Sequence, residues 1–239
     1  MLLLAFSGCA RDRDPPLMGD DVVAVDASGM PKPGENLVSV VETPAPPPYA
    51  GPAYFPASLA APSVRCDYGR RRELEPTLND FEKDWYSRQL AAAGEPSLAG
   101  AAEHPLAPGV RTVRFTWLRS FTAPVVIRVE RDASGTDRLV AKRLSGTGGD
   151  PPGEVAATFD RPLTREESAR LDAVLGRTQL FELPPRLCDG GLDGAQWIFE
   201  SADARGYRFV QRWSPRKGAL HDAGAALMAL TGWDFGMVY

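Results

Sequence analysis

The chain has 239 residues, of which 44% are apolar and 24% are charged, and its formal net charge is −4. This composition is typical of a globular protein with room for one good core, and no apolar run approaches the eighteen or so residues of a membrane span. Residues 10–62 hold seven acids and three bases, which leaves equal numbers of acids and bases in the remainder. A charge-balanced domain has no basic surface for nucleic acid, so no nucleic-acid partner is expected.

The chain begins with MLLLAFSGCA, a short apolar run that ends in small residues and a cysteine. The stretch Phe6-Ser7-Gly8-Cys9 resembles the lipobox of bacterial lipoproteins, in which the cysteine carries lipid and becomes the new N-terminus. Eight residues are too few for a signal peptide, so we expect the true start codon to lie upstream. The resemblance implies a lipid anchor on Cys9 and a location on the periplasmic side of the bacterial envelope. The alternative is a cytoplasmic protein with an ordinary buried N-terminus.

A proline-rich segment follows and predicts the domain organisation. Residues 10–62 contain eleven of the 22 prolines, including the run Pro44-Ala45-Pro46-Pro47-Pro48. Such a segment buries too little apolar surface to fold and is kept extended by its prolines. We therefore predict a truncated signal segment at residues 1–9, a disordered tether at 10–62 and a single folded domain at 63–239.

Two cysteines, Cys66 and Cys188, remain once Cys9 is assigned to lipid. An even pair in an oxidising compartment favours a disulfide. The bridge would close a loop of roughly 120 residues and stabilise the fold by about 4–5 kcal/mol on the chain-entropy model. Two free thiols are the alternative, and a redox or zinc role is disfavoured because neither cysteine lies in a CxxC motif.

The folded part opens with a predicted helix and then changes period. Thr77 is the expected N-cap, and Gly94 ends the helix. Leu78, Phe81, Trp85 and Leu90 are expected on one buried face. Beyond residue 109 the period becomes two, as in a sheet with one buried face. The predicted strands cover residues 112–117, 125–130, 138–144 and 154–159, and their short connections favour an antiparallel meander.

The remaining elements complete an α+β fold. Thr164-Arg165-Glu166-Glu167 is a capping box that begins a second helix. A hairpin of strands 195–201 and 207–213 follows, and then a last helix at about 219–230. The sequence thus predicts an antiparallel sheet of about six strands, a four-strand meander and then a hairpin, packed by about three helices on one face.

Three stretches, TWLRSF, GLDGAQWIFE and RWSP, together resemble an uncharacterised group of secreted proteobacterial proteins with the same order of C-terminal elements. The likeness covers roughly residues 66–235. It implies no activity and supports only the boundary of the domain.

The stretch DGGLDGAQWIFE, residues 189–200, is the weak candidate for a metal site. Asp189, Asp193, Gly194 and Glu200 match four fixed positions of an EF-hand calcium loop, but Gly191 occupies a ligand position. An EF-hand continues into a helix, whereas Trp197 and its neighbours favour a strand. Glu200 would then lie about 20 Å from Asp193, too far to share a cation. A glycine-rich loop feeding a strand is the favoured interpretation, and no metal or other cofactor is predicted.

Catalytic patterns are sparse. The chain has two histidines, His104 and His221, and neither is placed with a buried acid and a nucleophile as a catalytic triad requires. The most prominent polar group is the candidate binding surface on the last hairpin: Glu200, Arg208, Arg212 and Trp213. Tryptophan and arginine dominate binding hot spots, although a core strand pair with a salt-bridged outer face would use the same residues.

Two functions follow from these patterns. The first is an exported, lipid-anchored envelope protein with a non-enzymatic binding or accessory role, of which an inhibitor of a periplasmic toxin is one version. The second is a periplasmic hydrolase that pairs Asp189 or Glu200 with another carboxylate brought close by the fold.

Overall fold

The computed structural model describes residues 47–149, 151–191 and 193–238, so the predicted Cys9 lipobox and most of the predicted tether lie outside the described residues. The elements in chain order are β1 (Pro62–Asp67), β2 (Arg72–Pro76), α1 (Asp80–Ala92), β3 (Arg111–Arg119), β4 (Val125–Arg131), β5 (Asp137–Leu144), β6 (Val155–Pro162), α2 (Arg165–Thr178), β7 (Ala195–Asp203), β8 (Gly206–Trp213) and α3 (Ala219–Thr231). Within the described segments, no helix has both the length and the apolarity that a membrane crossing requires.

The main sheet has six antiparallel strands in the order β6-β5-β4-β3-β7-β8. The meander β3 to β6 runs to one edge, and after α2 the chain returns so that β7 pairs with β3 on the other side. Strands β1 and β2 form a separate two-stranded sheet. The α+β fold with a meander and a hairpin is therefore confirmed.

Both faces of the main sheet are covered. On one face, Phe115 and Ile127 share a core with Leu171 of α2 and Leu227 of α3. On the other face, α1 and the residues before β1 form a second core, which contains the apolar side chains Tyr54, Phe55, Tyr86, Leu90, Ile198 and Phe209. The prediction that all helices pack on one face is wrong, because α1 lies on the face opposite α2 and α3.

The predicted end of the tether at residue 62 is too late, because the folded unit begins at Pro48. Tyr54 and Phe55 are only 5% and 3% exposed. The Tyr54 hydroxyl donates to the carbonyl of Glu95 at 3.1 Å, and Phe55 packs edge-on against Phe209. An aromatic pair inside the proline-rich stretch therefore supplies enough apolar surface to bind the segment to the sheet.

Helix α1 begins at a different cap from that predicted, and only part of the predicted buried face is buried: Leu78 and Leu90 are 1% exposed and Trp85 is half-buried. Asn79 is the N-cap and forms a capping box with Glu82, two residues beyond the predicted Thr77. The buried side is formed around Tyr86 and Leu90, whereas Phe81 is 72% exposed. The predicted capping box of α2 between Thr164 and Glu167 is confirmed.

Candidate functional site

A cleft of about 220 Å³ lies where the start of α1, the loop before β7 and the end of β8 meet. We call it the aromatic cleft. Its walls are formed by Phe81, Trp85, Arg212, Trp213 and the backbone of Gly190 and Gly191, and its floor is formed by Tyr86, Gln196 and Gln211. It thus joins half of the predicted binding surface to the glycine-rich loop that opens the EF-hand-like stretch.

Helix α1 supplies the aromatic wall. The ring centroids of Phe81 and Trp85 are 5.8 Å apart, and those of Trp85 and Tyr86 are 5.0 Å apart. The indole N–H of Trp85 donates to the carbonyl of Gly148 at 2.6 Å, which fixes the ring. Phe81 is held beside it one helical turn away and remains largely in solvent. Such aromatic side chains offer contact area at a low cost in conformational entropy.

The opposite wall is the loop before β7, which the predicted disulfide holds in place. Cys66 of β1 and Cys188 are bonded, with their Cα atoms 5.4 Å apart, so this prediction is confirmed. Beyond Cys188, the loop packs directly on the indole of Trp213, because a Cβ atom on Gly191 would lie 2.3 Å from Trp213 Nε1. The glycine that breaks the calcium-ligand pattern is therefore explained by this close approach.

The floor is a closed network of amide and hydroxyl groups centred on Gln211. Its Oε1 accepts from the Tyr86 hydroxyl at 2.8 Å and from Gln196 Nε2 at 2.9 Å. Its Nε2 donates to the carbonyl of Thr77 at 3.2 Å and to Glu82 Oε1 at 3.3 Å. Because these groups satisfy one another, the floor holds α1 and β8 together and keeps the walls in place without a ligand.

Arg212 places a positive charge at the rim without a close carboxylate. Its guanidinium donates to the backbone carbonyls of Gln211 at 2.6 Å and Pro184 at 3.0 Å. No carboxylate oxygen among the described residues lies within salt-bridge distance of it. Burial lowers the pKa of Arg212, and the more distant charge of Asp189 raises it. The cleft therefore combines the exposed ring of Phe81 and the half-buried indoles of Trp85 and Trp213 with a cation that no carboxylate of the described residues contacts.

Glu200 belongs to the core and not to a surface, which corrects two predictions. It is fully buried and accepts two hydrogen bonds from Arg114, from Nε and from a terminal nitrogen, both at 2.8 Å. The Tyr207 hydroxyl donates a third at 3.0 Å. Burial raises the pKa of Glu200, while the Arg114 guanidinium lowers it. With its oxygens occupied in this way, Glu200 is neither part of a binding surface nor a calcium ligand.

The other members of the calcium candidate do not converge either. Asp189 is exposed and lines the aromatic cleft, and Asp193 precedes β7, in the middle of which Glu200 is buried. Among the residues that the structure describes, no three potential metal-binding side chains are grouped together. Glu200 does not support the hydrolase interpretation, because it is inaccessible and Glu95, the other carboxylate near Arg114, is buried and bound by Arg128 at 2.8 Å. The version that pairs Asp189 with another carboxylate stays a prediction.

The four predicted binding residues are therefore divided. Arg212 and Trp213 meet in the aromatic cleft, Glu200 is buried, and Arg208 lies on the other side of the sheet, where it pairs with Asp203 and stacks over Phe181. Strand pairing separates Arg208, which faces Ser201, from Glu200, which faces Phe209. Arg212 faces Trp197, on the same side of β8 as Arg208, and lines the cleft from the end of this edge strand. The sequence did not predict Phe81 and Trp85 as site residues. Their spacing of four on a helix was the available signal, but it was assigned to the core.

Comparison with known proteins adds no relative: no protein-family model matches the chain, and no curated protein matches it either. The likeness to secreted proteobacterial proteins therefore stays a prediction, and the functional argument rests on the geometry of the site.

Proposed function

We propose that this chain is an exported envelope protein, anchored by lipid on Cys9, whose folded domain binds a protein partner through the aromatic cleft. The observation that carries the proposal is the cleft itself. The exposed ring of Phe81, two half-buried indoles and an arginine without a carboxylate partner among the described residues lie over a hydrogen-bonded floor. Preorganised aromatic and arginine side chains are the usual centres of binding energy at protein interfaces.

The chemistry of the cleft defines the partner. A volume of about 220 Å³ accommodates one or two side chains and is small for a drug-sized ligand. Phe81 and Trp85 suit an apolar or aromatic side chain, and Arg212 suits a carboxylate next to it. The partner is therefore a polypeptide that presents an aromatic residue beside an acidic one. A toxin blocked by this domain in the periplasm would be one such partner.

The disulfide supports export, since such bonds persist in the periplasm and are rare in the cytosol. It closes a separation of 122 residues and holds the cleft loop to β1, so it contributes to the site itself. Lipidation at Cys9 would place the domain at the membrane surface, where an accessory or inhibitory protein meets its partners.

The first prediction concerns lipid attachment and the thiols. Expressed in a bacterial host from its own gene with the upstream region, the protein is expected to show a lipid adduct on Cys9 by intact mass. Cys66 and Cys188 should resist alkylation until reductant is added, because they are bonded to each other. The Cys9→Ala variant should lose the adduct and leave the membrane fraction. An unprocessed chain with three reactive thiols would contradict export.

The second prediction tests the cleft. Random twelve-residue peptides selected on the full chain carrying Cys9→Ala should be enriched in an aromatic residue next to Asp or Glu. Phe81→Ala should weaken binding of the selected peptides about thirtyfold, about 2 kcal/mol, as expected for a hot-spot side chain. Arg212→Gln should also weaken binding, and most strongly for the most acidic peptides, because it removes the cation proposed to face the acid.

The matched control is Phe121→Ala. Phe121 is 69% exposed, against 72% for Phe81, but it does not line the cleft. Both substitutions should leave the urea midpoint unchanged because both rings are in solvent. Equal weakening by the two variants, or selected peptides without an aromatic–acid pair, would refute the binding role of the cleft.

A further inference from the structure

A second cavity, of about 370 Å³, lies on the opposite face of the sheet from α1, between the C-terminal end of α2, the 3-10 helix Leu180–Glu182 and strands β3, β4 and β8. We call it the arginine cavity, because four arginines line it: Arg111, Arg131, Arg205 and Arg208. Three acids, Asp172, Glu182 and Asp203, line it as well, and the buried Asp137 behind the wall pairs with Arg131, so the four arginines are matched by four acids. The rest of the wall includes the apolar side chains Leu175 and Phe181.

One arginine is already neutralised within the fold. Arg131 makes two hydrogen bonds to the buried carboxylate of Asp137, at 3.0 and 2.6 Å, and one to Asp172 at 2.8 Å. These bonds raise the pKa of Arg131. Arg131 therefore holds β4, β5 and α2 together and is not available to a ligand.

The other three arginines have fewer acceptors than donors. Arg205 and Arg208 share the carboxylate of Asp203, and the nearest oxygen of Glu182 is 3.7 Å from Arg205 and 3.9 Å from Arg208. Arg111 lies 2.7 Å from Asp172 in an ion pair whose atoms are not aligned for a hydrogen bond. The buried Nε atoms of Arg111 and Arg208 have no hydrogen-bond partner among the described residues. Buried polar atoms are normally satisfied, so the hydrogen bonding of this wall is incomplete, at these two donors and also at the buried acceptor Asp172 Oδ1.

Arg208 is the arginine best prepared for an anion. Its guanidinium stacks over the ring of Phe181 at 5.0 Å, which fixes the plane of the group. Burial lowers the pKa of Arg208, Asp203 raises it, and the neighbouring charges of Arg205 and Arg111 lower it again. An added anion would offset the repulsion between these cations.

The backbone of the cavity wall shows a second sign of a built site. Gln179 ends α2 with φ of 45° and ψ of 40°, a left-handed conformation usually taken by glycine at a helix C-terminus. A non-glycine residue there is strained, and such strain is concentrated at ligand sites. Glutamine provides at this point an amide that glycine would lack.

We propose that the arginine cavity binds a small organic anion, a carboxylate or phosphate group attached to a compact apolar body. Arg208 and Arg111 bind the anionic group, Arg205 neutralises it from the exposed side, and Leu175 and Phe181 contact the apolar body. Arginine recognises the planar oxygens of both groups through paired N–H donors. This site is independent of the aromatic cleft and of the protein partner proposed for it.

The test uses the full chain carrying Cys9→Ala and three probes: inorganic phosphate, phenyl phosphate and benzoate. Titration calorimetry should give a dissociation constant below 1 mM for phenyl phosphate or benzoate, and at least tenfold weaker binding of inorganic phosphate. If only phenyl phosphate binds tightly, the ligand carries a phosphate group. If only benzoate binds tightly, the ligand carries a carboxylate group. Arg208→Gln should weaken the tighter probe at least tenfold, and Arg208→Lys should weaken it less, because it keeps the charge but loses the paired donors.

Two further variants keep the test decisive. Arg205→Gln, at a side chain that is 68% exposed, should fold normally and weaken the probe about threefold. Arg170→Gln is the control: Arg170 is 63% exposed, lies on α2 and pairs with Glu166 outside the cavity. If no probe binds below 10 mM, or if Arg170→Gln and Arg205→Gln weaken it equally, the proposal is overturned.

Discussion

Replacing Arg114 with methionine is expected to lower the free energy of unfolding by about 3–5 kcal/mol, because it leaves the buried carboxylate of Glu200 without its cation. Arg114 and Glu200 are directly paired on β3 and β7, and neither side chain is exposed by more than 1%. Arg114 also donates to the carbonyl of Pro96 at 2.6 Å, so its removal breaks the link to the loop after α1 as well. The loss is measured by urea unfolding of both proteins.

An ion pair of the same geometry on the surface tests whether burial causes the expected loss of stability. Arg138 makes the same two hydrogen bonds across β5 and β6 to Asp160, at 2.7 and 2.8 Å, but these side chains are 59% and 37% exposed. Arg138→Met should therefore cost less than about 1 kcal/mol. The double variant Arg114→Met/Glu200→Met should recover most of the loss, since it leaves no uncompensated charge. Equal losses for Arg114→Met and Arg138→Met would show that burial of Glu200 is not the cause.

The buried pair also shows why the strands could be predicted and their environment could not. In β3, the residues Val113, Phe115 and Trp117 alternate with Arg114 and Thr116. Period two correctly predicts the strand, because successive side chains point to opposite faces. It also predicts that the polar set faces water, yet Arg114 and Thr116 are buried. The reason is the second layer, formed by α1 and the segment that begins at Pro48, which no local pattern in β3 can reveal.

The aromatic cleft was unpredictable for a related reason. Its walls come from α1, from the loop after Cys188 and from β8, which are far apart in the sequence. The side chains of Phe81 and Trp85 follow a helical spacing that is usual for a core face. The helix is rotated so that Tyr86 is buried together with the predicted Leu90, while Phe81 is exposed and Trp85 is half-buried. Of the two capping boxes among the described helices, the one that starts α2 at Thr164 was predicted from residues three positions apart, whereas the one between Asn79 and Glu82 in α1 was missed because Thr77 precedes it as a competing cap. A local motif therefore identifies a helix start only where the sequence offers a single candidate.

The separate β1–β2 sheet has no clear pattern in the sequence. Most of its side chains are polar and exposed, and only Cys66 is buried. Its contacts with the rest of the domain include the disulfide and the side chain of Arg186, which donates to the carbonyl of Pro76 at 3.3 Å and lies 3.4 Å from Glu82. The disulfide therefore attaches this hairpin to the domain, whereas the main sheet is held by its buried apolar side chains.

Removing that bond is the second change expected to have a large effect. The Cys66→Ala/Cys188→Ala variant should lose about 4–5 kcal/mol of unfolding free energy relative to the oxidised protein, since the bridge closes a separation of 122 residues in the unfolded chain. The oxidised protein, the protein in reductant and the double variant are compared by urea unfolding. Reduced protein and double variant should agree, because both lack the cross-link, and a loss confined to the variant would instead indicate packing of the Cys66 side chain.

Hydrogen exchange distinguishes a global loss from a local one. In the double variant, amide protection should fall most in β1 and β2, because little apolar surface holds this hairpin in place. Binding of the selected peptides should weaken too, although Phe81 and Trp213 are unchanged, because the loop that carries Gly190 and Gly191 would no longer be fixed at Cys188. Retained protection in β1 and β2 would mean that contacts other than the disulfide, such as those of Arg186, hold the hairpin in place. If the cleft loses affinity while the main sheet keeps its protection, the disulfide is a component of the binding site as well as of the fold.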